Sequence, residues 1–394
     1  MNCPIRYPLT AFLAWFSAPI VLSLLLLGTL ITTYRVGMID PLWPTEPWFL
    51  LGVNWEEPTA GYFIEHVHRV VGYLAGLFIL ATGIAAWASR GRSGRLISIL
   101  MVVGVSVGVA LAMTSIDRIK AMSDPLGAAN PARLVPGLAL AAGSSLGLIF
   151  LALRDASWSV PGSWMRLAAT LAYVGVVLQG LLGGLRVYLN ALVGPELATI
   201  HGAFGQVVFG LVVFTACLAG PVGRSVTLTP ALKQSRRLVS TLVVLCLLQL
   251  VWAVVVRHHG SPWAQRLHVI FAILIAGWVG ALSLAAARQP GLKFWSRGLG
   301  VLLLVQVVLG VEAWLGKFGT GHAFYPEARS LSEAFLRTSH SFLGAMFLGW
   351  ILASWVRCGQ LLGGVSQGGF PSHAAYARTP FSLAPPSTIE GNRS

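Results

Sequence analysis

Charged side chains are scarce in this sequence of 394 residues: they make up 10% of it, and only 13 residues are acidic. Hydrophobic residues account for 56%. Soluble globular domains average about 25% charged residues, so this composition excludes a soluble globular enzyme. The formal net charge of +14 does not indicate a nucleic-acid partner, because the basic residues fall in short clusters between long apolar runs.

Cysteine is also rare, and the four cysteines lack the spacing of metal ligands. Three of them fall inside or at the edge of apolar runs, so the sequence predicts no disulfide framework. Only Arg6 precedes the first apolar run, which is too long for a signal-peptide core and is predicted to be a retained membrane span. The four cysteines are Cys3, Cys217, Cys246 and Cys358.

Long apolar runs dominate the chain, and ten of them reach the length of about 20 residues that crosses a bilayer. Lipid cannot satisfy backbone hydrogen bonds, so these runs are predicted to be helices, and the short alternating segments of a β-barrel are missing. The predicted fold is an all-α integral membrane protein of about ten transmembrane helices. The runs are 11–33, 67–88, 96–116, 134–153, 165–186, 199–219, 238–256, 266–287, 298–316 and 338–356.

Basic clusters occupy every second connection, which by the positive-inside rule places those connections and both termini in the cytoplasm. The outer connections 117–133 and 317–337 also carry basic residues. The last segment, 357–394, is rich in Gly, Ser and Pro and is predicted to be a disordered tail. The basic clusters are Arg90, Arg92 and Arg95, then Arg154 and Arg166, then Arg224, Lys233, Arg236 and Arg237, then Arg288, Lys293 and Arg297.

An internal repeat emerges from four histidines, each near the predicted outer end of an even-numbered helix: His68, His201, His268 and His340. Successive histidines are 133, 67 and 72 residues apart. A helical hairpin repeated every 67 to 72 residues explains these separations if one hairpin, roughly 96–153, lacks a histidine.

A small residue follows each of the four histidines at the fourth position, on the same helix face. This spacing predicts a flat opening beside each imidazole in which a planar ligand could lie. Imidazole is the ordinary axial ligand of haem iron, and four histidines make two bis-histidine sites. The alternative is that histidines near the interface and small residues in membrane helices are both common. The small residues are Gly72, Gly205, Ala272 and Gly344.

Glu65 is the only acid found three residues before an aligned histidine. It shares a helix face with His68, which makes it a candidate for proton chemistry beside the first ligand site. A helix-start carboxylate stabilised by the macrodipole is the equally strong alternative. Arg69 and Arg186 are candidates to pair with haem propionates or with lipid phosphates.

Other residues near the outer surface are given lesser roles. His66 points away from the repeat face, and His258 and His259 are expected to be solvated or secondary. The outer loop 34–65 contains residues that fit an interfacial aromatic cover over a site: Trp43, Trp48, Trp55, Glu56 and Glu57.

With these motifs the chain resembles the haem A synthase family, the membrane proteins that make the formyl-bearing haem of terminal oxidases. The resemblance spans about 11–356 apart from the hairpin at 96–153. It is carried by Glu65-His66-Val67-His68-Arg69, by the Gln179–Gly184 stretch followed by His201-Gly202-Ala203-Phe204-Gly205-Gln206, and by the two later histidine helices.

The resemblance implies two pseudo-symmetric four-helix halves, here 11–219 with the extra hairpin and 236–356. It implies that His68 and His201 hold the substrate haem O, that His268 and His340 hold a resident haem b, and that Glu65 is essential for turnover. The implied reaction oxidises one ring methyl of haem O to a formyl group, and electrons leave to an unidentified acceptor. A haem O synthase is an expected partner, a homo-oligomer is an expected assembly, and a bacterial inner membrane is the expected location.

The chain departs from that pattern in two ways. The first outer loop lacks the cysteine pair that some members carry, and the extra hairpin gives ten helices where the family has eight. The hairpin is consistent with a degenerate repeat or with a paralogue that binds haem without making haem A.

Two other classes of protein compete. A dihaem cytochrome b often stacks its haems about 20 Å apart, which needs histidines roughly 13 to 14 residues apart in one helix, and no predicted helix has them. A transporter with repeated hairpins would place its site near the midplane with broken helices and buried charge. The only acid deep in a late span, Glu312, lies near the outer end of its span.

Overall fold

The structure is a computed structural model that describes residues 6–40, 43, 59–117, 120, 123–124, 127–157, 162–221, 229–287, 289–318, 328 and 330–367. Within these residues ten helices are long and apolar enough to cross a membrane, as the hydrophobic runs predict. They are α1 Pro8–Tyr34, α2 Ala60–Ala88, α3 Arg92–Met113, α4 Pro131–Asp155, α5 Ser163–Val187, α6 Leu192–Ala219, α7 Pro230–His259, α8 Pro262–Ala286, α9 Pro290–Phe318 and α10 Leu331–Gln367.

Proline and capping hydroxyls set where several helices begin. Proline stands in the first turn of α1, α4, α7 and α8, among others, where the missing N–H would have had no helical partner. The Thr59 side chain caps α2 by accepting a hydrogen bond from the Tyr62 amide, and Thr229 caps α7 in the same way with Leu232. The helices therefore start several residues before the apolar runs that predict them.

The runs 165–186 and 199–219 predict a connecting loop at 187–198. This prediction is wrong, because helix continues through most of these residues. Residues Ser163–Ala219 run as one helical path that is broken at Val193, whose backbone (φ −141°, ψ 39°) is not helical. Pro195 follows the break, and a proline ring displaces the carbonyl four residues before it. The result is a sharp corner between α5 and α6 with almost no loop.

Two four-helix bundles form the body of the protein. The first contains α1, α2, α5 and α6, and the second contains α7, α8, α9 and α10. They meet where α10 packs against α1 and against the α5–α6 segment. Small residues permit this contact: a Cβ at Gly349 would lie 3.1 Å from the Phe209 ring, and one at Gly210 would lie 2.9 Å from Leu352.

The extra hairpin, α3 and α4, packs on the first bundle through contacts with α2 and α5. Its two helices touch backbone to backbone, since a Cβ at Gly108 would lie 2.4 Å from the Ala141 nitrogen. A π-helical turn, Met101–Val105, interrupts α3, and the Met101 carbonyl accepts a hydrogen bond of 3.2 Å from the Tyr173 hydroxyl. The hairpin thus belongs to the N-terminal half of the chain.

An ion pair at Asp155 joins the end of this hairpin to α5 and to the segment after α2. The Asp155 carboxylate accepts a bond of 2.6 Å from Arg166 on α5 and pairs at 2.8 Å with Arg90 after α2. The predicted basic clusters are therefore partly neutralised within the fold.

The sequence predicts that the disordered tail begins at residue 357. This start is wrong, since α10 continues to Gln367. Cys358 and Leu361 are buried in the core of the second bundle, and Gln360 donates to the Cys217 carbonyl of α6 at 3.2 Å. These contacts stabilise helix beyond the apolar run. The rest of the predicted tail, from residue 368, lies outside the described residues.

Candidate functional site

The four aligned histidines occupy similar positions along their helices, within about the first three turns of α2, α6, α8 and α10. Each packs against the helix before it. A Cβ at Gly28 would lie 3.3 Å from the His68 ring, one at Gly183 would lie 3.4 Å from the His201 ring, and one at Gly310 would lie 2.9 Å from the His340 ring. These glycines let the neighbouring backbone approach the imidazole.

Glutamines one turn deeper tie three of these histidines to the preceding helix. Gln179 donates from Nε2 to the His201 carbonyl at 2.8 Å, Gln249 donates to the His268 carbonyl at 3.0 Å, and Gln306 donates to the His340 carbonyl at 2.9 Å. In the first repeat Leu24 stands at this position. The glutamine at this position therefore makes the same hydrogen bond in three of the repeats.

The small residue after each histidine has a different role from the predicted one. A Cβ at Gly205 would lie 3.1 Å from Gln179 Nε2, and one at Gly344 would lie 3.2 Å from Gln306 Nε2. The space that these glycines leave is filled by the glutamine that bonds the histidine carbonyl. The prediction that it forms a flat opening for a planar ligand is wrong at these two positions.

Three of the imidazoles approach the backbone of the preceding helix. His340 Nδ1 lies 3.1 Å from the Gln306 carbonyl, and the His68 and His268 rings approach the backbone of Leu24 and Gln249. Nδ1 of His68, His201 and His268 is buried, with no hydrogen bond of good geometry among the described residues. His340 is thus held through Nδ1, which leaves its Nε2 for a metal, the usual arrangement of a histidine ligand.

The His268 and His340 rings are neighbours in an edge-on arrangement, with centroids 6.2 Å apart and ring planes at 75°. Two bonds of about 2 Å from ring nitrogens to one metal ion, plus the distance from each nitrogen to its ring centre, give a separation of about 6 Å. The residues of this pair therefore fit the axial ligation of one haem iron. They lie on helices of the second bundle.

The other pair, His68 and His201, lies in the first bundle with the Arg186 guanidinium within electrostatic range of both rings. Arg186 Nε is buried and makes no hydrogen bond within the described part of the chain. A half-buried guanidinium beside two imidazoles suits a carboxylate such as a haem propionate. Trp43 covers this area, because its indole lies where a Cβ at Gly184 would be. Trp48, Trp55, Glu56 and Glu57 lie outside the described residues.

Glu65 is buried at the outer edge of the first site. Its Oε1 accepts from Arg69 at 2.8 Å, and its Oε2 accepts from the Ile39 amide at 2.8 Å and from the Asp40 amide at 3.3 Å. Arg69 also donates to the Asp40 carboxylate at 2.9 Å. Glu65 thus fixes the segment after α1 to α2, and the Arg69 guanidinium is held between two carboxylates. This arrangement argues against a propionate as the partner of Arg69.

His66 is fully buried and belongs to the same network. Its ring stacks on Tyr62 at 4.1 Å, and its Nε2 lies 3.2 Å from the Tyr62 hydroxyl and 4.0 Å from Asp40. His259 is exposed and lies 3.0 Å from the Thr199 hydroxyl. His258 is half-buried, with Nε2 3.6 Å from the place of a Cβ at Gly202.

The second site has cations where the first has Glu65. Arg337 occupies the position three residues before His340 and pairs with Glu333 at 2.5 Å. Lys317 at the end of α9 donates to the carbonyls of Val256 and Arg257 at 3.4 and 3.3 Å. The Arg257 side chain, which the sequence does not single out, joins α7 to α1 and α10.

Sequence reasoning misses Gly28, Asp40 and Arg257. The repeat could have revealed Gly28. Gly183 and Gly310 each stand four residues after a glutamine, and Gly28 stands four residues after Leu24, which occupies the place of that glutamine. No signal in the sequence marks the other two. No protein-family model matches the chain, and no curated protein sequence matches it.

Proposed function

We propose that the protein is a haem A synthase that oxidises a ring methyl of haem O to a formyl group. The observation that carries this proposal is the 6.2 Å separation of the His268 and His340 rings, together with the same helix-to-helix setting around His68 and His201. Two such sites at one depth suit one resident haem b and one substrate haem side by side. We place the protein in a bacterial inner membrane with both termini in the cytoplasm.

The family resemblance gives each pair of histidines a role, and we propose the same roles here. His268 and His340 would hold haem b, and His68 and His201 would hold haem O, with Arg186 beside its propionates. Bound haem iron supplies the redox chemistry. Trp43 excludes water from the outer side of the substrate site, where its indole covers Gly184.

Glu65 is the proposed proton-accepting group. When water supplies the oxygen atom, conversion of a methyl to a formyl group releases four protons and four electrons. The electrons leave to an external acceptor, and a buried carboxylate next to the site can take up protons. A proton at Glu65 weakens its pair with Arg69, but Arg69 keeps the Asp40 carboxylate as a partner at 2.9 Å. The network therefore tolerates one added proton without leaving the guanidinium unpaired.

A second candidate is a haem-binding, electron-transferring cytochrome b or paralogue that does not make haem A. The observation that favours it is that both Glu65 oxygens already accept hydrogen bonds, which is also what a purely structural carboxylate does.

Analysis of extracted haems separates the two candidates. The chain is expressed in a host together with a haem O synthase, and the haems are identified by chromatography. We expect haem A from wild type, and haem O that binds without conversion in Glu65→Gln. Glu333→Gln is the matched control, because Glu333 forms the equivalent i to i+4 pair in the other half. Wild type that binds haem O and leaves it unchanged supports the paralogue.

A further inference from the structure

Arg257 connects the two halves near the histidines. Its Nη2 donates to the Thr29 carbonyl at 2.8 Å and to the Thr33 hydroxyl at 3.0 Å on α1. Its Nη1 donates to the Ser341 hydroxyl at 2.5 Å on α10. One guanidinium on α7 thus bonds a helix of each bundle.

Both ends of this contact adjoin a histidine. Thr29 follows Gly28, whose missing side chain makes room for the His68 ring at 3.3 Å. Ser341 directly follows His340. Arg257 therefore lies between the two sites and belongs to neither pair of ligands.

The three groups that bond Arg257 are neutral. The charged or titratable groups nearest to it are His258 and His340, Arg337, and Lys317, which donates to the Arg257 carbonyl. Neutral dipoles hold a guanidinium without cancelling its charge, and inside a membrane protein that charge acts over several ångströms because the dielectric constant is low.

We propose that Arg257 sets the reduction potential of the haem held by His268 and His340, a step that rests on the proposed function. Reduction of ferric to ferrous iron adds one electron and so lowers the charge of the site by one. A fixed cation beside His340 stabilises that added electron and raises the potential. Arg257 thereby makes the resident haem a better electron acceptor.

Redox titration of the purified holoprotein tests this. Dithionite supplies the electrons and ferricyanide removes them through mediators, while the visible spectrum reports the ferrous fraction. We expect a lower midpoint potential in Arg257→Gln, a potential near wild type in Arg257→Lys, and no change in Arg266→Gln. Arg266 is the matched control, because it is exposed on α8 and stacks on Trp263.

A second variant keeps the test decisive if Arg257→Gln loses its haem. Thr33→Asp places a carboxylate 3.0 Å from the guanidinium and neutralises it in place. It is expected to lower the potential, and Thr33→Ser is expected not to. If fully loaded Arg257→Gln or Thr33→Asp has the wild-type potential, the proposed role of Arg257 is overturned, while the proposed function is not affected. Wild-type protein without haem b overturns the proposed function as well.

Discussion

In the N-terminal half the residue three positions before the first histidine is Glu65, whereas the equivalent residue in the last repeat is Arg337. Around these two positions the histidines are held alike, with a glycine of the preceding helix against each of the His68 and His340 rings. The shared part of the repeat thus holds an imidazole, and the part that differs sets the charge beside it. We infer that one repeat is reused for two chemical roles.

The two ion pairs offer the sharpest way to break this comparison. Arg69→Met leaves the buried carboxylates Glu65 and Asp40 without their shared cation, so we expect a loss of about 3 to 5 kcal/mol in the free energy of unfolding. Arg337→Met leaves only Glu333 without its partner, and Lys317 remains near that carboxylate. The loss of unfolding free energy is therefore expected to be smaller than for Arg69→Met. Thermal unfolding in detergent measures both. Equal losses of unfolding free energy in the two variants would contradict the difference between the two charge clusters.

The glycines against the histidines give a graded test of the shared part. Gly310→Ala places a methyl 2.9 Å from the His340 ring, which must shift, at a cost of about 1 to 3 kcal/mol. Gly183→Ala meets the His201 ring at 3.4 Å, an ordinary contact, and is expected to cost less. The low-spin ferric signal in electron paramagnetic resonance and the unfolding midpoint report the shift. The opposite order would contradict the packing described for these repeats.

The smallest effect is expected from the glutamine bond that the first repeat lacks. Gln306→Leu removes the hydrogen bond to the His340 carbonyl and makes this repeat resemble the first, at a cost of about 1 kcal/mol. Leu24→Gln is the reverse change and is expected to stabilise the start of α2. Denaturant unfolding of the two variants checks the signs, and destabilisation by Leu24→Gln would show that the first repeat is packed differently.

The ten helices are predictable from the sequence because a span depends mainly on a long apolar run, which composition shows directly. Their ends are not, because caps such as Thr229 and late contacts such as Leu361 extend helices into polar sequence. The hairpin at 96–153 is also placed correctly, since its helices are as apolar as the others.

The four histidines are predictable because repeat spacing marks them without any knowledge of contacts. What each small residue does is not, since Gly205 and Gly344 touch a glutamine from another helix. The partners of Glu65 are equally hidden, because Ile39 and Asp40 belong to a segment without periodicity. Arg257 resembles any interfacial arginine until the helices α1 and α10 are placed beside it.

The haem content of histidine variants tests the central claim most directly. We predict that wild type carries a b-type haem with a bis-histidine spectrum, and that His268→Ala and His340→Ala each lose it. His258→Ala, which removes a half-buried histidine outside the two pairs, is expected to keep it. An unchanged haem-to-protein ratio and spectrum in both His268→Ala and His340→Ala would contradict the account.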